Sequence, residues 1–168
     1  DYIKQFGDFG TSHHSTPLTQ DNNFLDFRNY VGQKSWEFLD QMGYDMNLYQ
    51  TMFSEMWVQE FSKKGGGHHS AHIHFNQHVS GLYFLKCSDK TSNPVFHDPK
   101  TGARATKLTM KPKQVILAGT DLVHYKPTPG TLIIFPGYLE HEFSVDHGLE
   151  PFRFIHWNIQ AIPKGMAK

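Results

Sequence analysis

From Met52 onward the chain is a succession of short apolar or alternating runs broken by Gly, Pro, Asn and Asp, with no helical stretch of 10 to 15 residues between them. The runs are 56–61, 71–75, 79–86, 95–97, 115–117, 122–125, 131–135, 142–145 and 152–160. Strands this close together cannot be joined by helical crossovers. They therefore predict an antiparallel sandwich or barrel rather than a parallel sheet. The glycine triplet 65–67 and the stretch 101–113 read as loops, the second as a candidate lid.

The first 50 residues lean helical. Phe24, Phe27 and Val31 fall at i, i+3 and i+7, and Trp36, Leu39 and Met42 mark a second short stripe, with Pro17, Gly32 and Gly43 as punctuation. A chain of 168 residues fits one domain. The expectation is a single domain over 1–168, in which a helical part, 1–51, packs on a β core, 52–162. The fold class expected is mainly β, a jelly roll with short N-terminal helices.

Sixteen basic and sixteen acidic side chains cancel and no segment concentrates Lys or Arg, so a field that attracts phosphate backbones is not expected, and nucleic acid is a poor partner. No apolar run approaches the roughly 18 residues of a membrane span, and residues 1–10 lack the pattern of a signal peptide. The chain opens on Asp1, so further sequence before it is expected. Cys87 is the only cysteine, which excludes an internal disulfide framework and leads to the expectation of a cytoplasmic setting.

Twelve histidines are the outlying number, five of them at 68, 69, 72, 74 and 78. In a strand, side chains two apart share a face, so His72 and His74 can take adjacent positions on one metal ion if a third ligand arrives from elsewhere. His141 is the best donor, because it follows the buried run 131–135 and the turn Pro136-Gly137 that sends the chain back across the barrel mouth. His68, His69 and His78 read as exposed loop positions, and Trp157, Phe135 and Phe143 as core. Arg153 shares a strand face with Ile155, Trp157 and Ile159. A guanidinium there needs a carboxylate, either a ligand's or one of the chain's own.

The series His72-x-His74, Ser80-Gly81-Leu82-Tyr83-Phe84-Leu85, Val95-Phe96-His97-Asp98-Pro99, then 127–136 with His141 and Arg153, resembles the Fe(II)/2-oxoglutarate-dependent oxygenases. Within them it is most similar to small 2OG-Fe(II) oxygenases of marine bacteria and phages, and more distantly to prolyl hydroxylases. The resemblance spans about residues 54–162. It implies a double-stranded β-helix with Fe(II) at its open end and 2-oxoglutarate as cosubstrate. It also implies a small-molecule or peptide substrate and O2, with hydroxylation of a C–H bond and release of succinate and CO2. His72 would be the first ligand, His141 the distal one and Arg153 the residue that holds the cosubstrate's far carboxylate. Tyr83, or Ser80 if the strand phase is opposite, would add a hydroxyl there.

The chain departs from that family where a carboxylate is usual, because His74 stands in its place. Two resolutions stay open: His74 is the third ligand, or Asp98 supplies a carboxylate from a neighbouring strand. Two further readings also remain, a cupin-type metal enzyme that does not use 2-oxoglutarate and a non-catalytic metal-binding jelly-roll module.

Overall fold

The computed structural model describes residues 7–100, 102, 105, 106, 108, 109 and 116–165. Among them, nine strands form two antiparallel sheets. They are β1 (Ser12–His14), β2 (Tyr49–Phe61), β3 (His69–His72), β4 (Val79–Lys86), β5 (Pro94–His97), β6 (Leu122–His124), β7 (Leu132–Pro136), β8 (His141–Phe143) and β9 (Arg153–Pro163). The larger sheet runs β1-β2-β9-β4-β7 and the smaller β3-β8-β5-β6. One α-helix, α1 (Leu25–Gln41), precedes β2, flanked by single 3-10 turns at Asn22–Phe24 and Met46–Leu48.

The larger sheet is covered on both faces. On its outer side Met56, Val79, Ile155, Trp157 and Ile159 form a core with Val31 and Leu39 of α1. On its inner side Phe61, Leu82, Phe84 and Phe154 pack against Phe143 of the smaller sheet. This arrangement is the double-stranded β-helix. The two faces follow from period-2 alternation along β9, where odd residues meet the helix and even residues face the barrel interior.

Several expectations need correction. The two helical stripes belong to one continuous helix, because Gly32 sits inside it opposite the Phe53 ring. A single helical glycine costs only about 1 kcal/mol, which packing on the sheet overcomes. Ser12–His14 is a strand on the edge of β2, too short to show a period. β2 begins at Tyr49 and carries an irregularity between Phe53 and Glu55, which blurred its alternation. The run 71–75 is a strand only to His72. Of 115–117, Val115 lies outside the described residues and Ile116 and Leu117 are not in a strand; most of 101–113 likewise lies outside them.

Candidate metal centre

His72 closes β3 and His141 opens β8, and the two are direct partners across that pair of strands. His74 lies beyond the strand end, in a loop tied to the β7–β8 turn by its backbone N–H, which donates to the Gly137 carbonyl at 2.9 Å. Gly137 in turn donates to the His78 carbonyl at 3.1 Å. The approach is so close that a Cβ at Gly137 would overlap the Gln77 carbonyl, so glycine is needed for the loop to deliver His74.

The three rings converge. One ligand nitrogen from each of His72, His74 and His141 lies within 4.8 Å of the others, and the ring centroids are 4.5 to 5.1 Å apart. A carbonyl oxygen only accepts, so Nδ1 of His72 donates to Ser70 at 2.7 Å and Nδ1 of His141 donates to Leu139 at 2.9 Å. Both rings therefore present a bare Nε2 lone pair.

His74 is held differently. The Asn158 amide nitrogen donates to Glu55 Oε2 at 2.8 Å and to His74 Nδ1 at 2.9 Å, while its oxygen accepts from the buried Ser80 hydroxyl at 2.6 Å. With Nδ1 accepting, the proton of neutral His74 sits on Nε2, which donates to His141 Nε2 at 3.2 Å. A cation bound at His74 Nε2 requires that proton to leave. Turning the Asn158 amide would offer its oxygen to a protonated Nδ1, at the cost of setting that oxygen against the Glu55 carboxylate that its nitrogen now serves.

Burial is the main cause that pulls His74 and His141 down to about 4, with neighbouring imidazoles adding to it. His69 is lowered to about 4 in the same way. It is a strand residue that lines the pocket, not an exposed loop position. His156, on β9, is also driven well below its ordinary value by burial. Its ring stacks on His74 at 5.1 Å and lies 4.9 Å from the Trp57 ring, and its Nε2 has no hydrogen-bond partner.

Other expected site residues stand elsewhere. Asp98 is outside the histidine cluster, its Oδ1 accepting from the Lys100 backbone N–H at 2.8 Å. Tyr83 faces the helix, its ring 5.4 Å from Phe27. Ser80 has the inward phase and reaches the histidines through Asn158. Arg153 lies on the outer face and pairs with Glu60, its Nε donating to Oε2 at 2.7 Å, so it does not enter the histidine pocket. Phe143 lines that pocket and the Phe135 ring is 4.7 Å from His141, whereas Trp157 packs beneath α1. Of His156, Asn158 and Glu55, sequence reasoning raised only Asn158, with Trp57, as a residue that could face substrate, and missed the others. The signal for the first two was present: once Ile155, Trp157 and Ile159 share one face, His156 and Asn158 take the other.

The sequence profile of a family described as "Putative 2OG-Fe(II) oxygenase" matches residues 55–151, more than half of the chain. The chain belongs to the 2OG-Fe(II) oxygenases. Solved structures agree on the fold. An oxidoreductase of the 2OG-Fe(II) oxygenase family from Burkholderia pseudomallei superimposes with a TM-score of 0.57 at 12% identity, over 82% of this chain and 56% of that one. A Pseudomonas putida prolyl-4-hydroxylase gives 0.54 at 13%, over 89% and 71%. YcfD, a ribosomal oxygenase from Escherichia coli in complex with cobalt and 2-oxoglutarate, gives 0.51 at 12%, over 91% and 32%. The chain thus spans little more than half of the first of these and a third of the last. Comparison with curated proteins finds no match. Among the described residues, no helix is long and apolar enough to cross a membrane.

Membership implies Fe(II) as metal and 2-oxoglutarate as cosubstrate. The donor set fits a divalent transition ion: three convergent imidazoles, uncharged at neutral pH in the two that are most buried, with two rings already oriented by backbone carbonyls.

Proposed function

We propose that this oxygenase hydroxylates a C–H bond of a small molecule or a peptidyl residue, with His72, His74 and His141 holding the metal. The observation that carries the reading is the convergence of three imidazole nitrogens within 4.8 Å, in a chain whose family uses Fe(II). When bound, Fe(II) with 2-oxoglutarate supplies O2-driven decarboxylation of the 2-oxo acid to succinate and CO2, coupled to oxygen insertion into the substrate.

The protein's share is positional. Carbonyls of Ser70 and Leu139 keep two rings turned toward the ion, and Asn158 steers the third. Phe143, Phe154 and Leu82 exclude water from the floor of the pocket. Ile73, Phe75 and Tyr138, exposed beside His74 and the β7–β8 turn, offer an apolar rim on which a substrate can rest.

The test is anaerobic reconstitution with Fe(II), followed by admission of O2 and measurement of succinate with candidate substrates. Thermal unfolding with metal, then with metal and 2-oxoglutarate, provides a second readout, because a ligand that binds the native state raises its stability. Stabilisation by metal with no further gain from 2-oxoglutarate, and no succinate, would favour the non-catalytic module.

A further inference from the structure

With Arg153 turned outward onto Glu60, the pocket around the histidines is lined by aromatic, aliphatic and imidazole side chains and Gln59, with no lysine or arginine among the described residues. A cosubstrate with a second carboxylate needs a donor in such a place, because an unpaired carboxylate cannot be desolvated without heavy cost. Gln59 is already engaged by Ser12 and Trp57, and His69 Nε2 lies 3.3 Å from the Ser12 hydroxyl.

His156 is the exception. Its side chain is 6% exposed, it lines the pocket, and its Nε2 makes no hydrogen bond. Of the buried side-chain nitrogens and oxygens left unmatched among the described residues, this one alone belongs to a pocket-lining residue. Buried polar groups are nearly always matched, so an unmatched nitrogen on a residue that lines a ligand pocket points to a partner that arrives with the ligand. The position suits this role: the ring stacks directly on His74, next to any molecule bound at that histidine's metal, and its other side is braced by Trp57.

We infer that His156 donates the hydrogen bond that receives a carboxylate oxygen of the 2-oxo acid cosubstrate, in the role Arg153 was expected to fill. The inference rests on the proposed function and assigns its cosubstrate contact to this chain's own residue.

The test is calorimetric titration of 2-oxoglutarate into Mn(II)-loaded protein, with Mn(II) affinity measured separately, for wild type, His156→Phe, His156→Gln and Arg153→Ala. Phenylalanine keeps a flat ring between Trp57 and His74 but has no N–H; glutamine restores a donor. The expected result is a 2-oxoglutarate Kd raised about tenfold or more by His156→Phe, a smaller rise for His156→Gln, and Arg153→Ala within about twofold of wild type. Mn(II) affinity stays within about threefold throughout. Metal-free His156→Phe unfolds at a temperature no lower than wild type, since an unmatched buried nitrogen is removed. A merely structural role for the ring would not separate these readouts. Wild-type binding of 2-oxoglutarate by His156→Phe, loss of Mn(II) along with it, or a loss caused instead by Arg153→Ala would each overturn the inference. Failure of wild-type, metal-loaded protein to bind 2-oxoglutarate would overturn the proposed function itself, and this inference with it.

Discussion

His72 and His141 face each other across β3 and β8 with ring centroids 4.5 Å apart, and each Nδ1 is engaged by the carbonyl two residues before it. The strand backbone thus orients both rings before any ion arrives. His72→Ala and His141→Ala should each abolish the thermal stabilisation given by Fe(II) or Co(II) under anaerobic conditions. The loss of affinity should exceed the roughly 10–100-fold typical of losing an outer hydrogen bond. A variant that still binds the ion as tightly as wild type would remove that residue from the ligand set.

Asn158 links His74 to Glu55 and Ser80 through one amide. Asn158→Ala leaves His74 free to rotate and Ser80 without its acceptor. Metal affinity should fall by about tenfold, less than for loss of His72. Equilibrium titration with Co(II) separates the two cases, and equal losses would mean that His74 orientation does not depend on the amide.

The architecture was largely readable from the chain. The run 79–86 matched β4 residue for residue because its glycine, β-branched and aromatic residues lie between clear turn signals. The histidine cluster was readable in its members but not in its cause: the strand ends at His72, and the contact with Gly137, not strand period, delivers His74. Arg153 was not, because a strand's period states which residues share a face and leaves open which face looks inward. Only packing against α1 settles that, and Trp157 beneath the helix carries Arg153 to the outside with it. His156 was hidden by the same ambiguity.

Burial holds His69, His74 and His141 near 4, against 6.5 in an exposed chain. Between those values the unfolded chain binds more protons than the folded one, so the metal-free protein has its full stability above about pH 6.5 and loses it progressively as the pH falls toward 4. Burial of His156 acts in the same direction. Thermal unfolding across this window should show a falling Tm; a flat profile would contradict the burial of these rings.

Gly81 lies against the Trp157 indole so closely that an added Cβ would overlap it. Trp157 is fully buried under α1 and has no room to retreat. Gly81→Ala should therefore destabilise by about 1–3 kcal/mol or more, read as a lowered urea midpoint with an unchanged slope. Wild-type stability would mean that the strand and helix can separate at no cost.

Strand β9 carries two unrelated obligations in alternate letters. Substitutions at 155, 157 and 159 would be felt first as poor yield and aggregation, whereas shape-preserving ones at 156 and 158 would be felt first as altered ligand chemistry. A saturation library across this segment, scored once for expression and once for binding, would resolve into interleaved columns, and the same parity marks where this scaffold can accept new specificities without forfeiting its integrity.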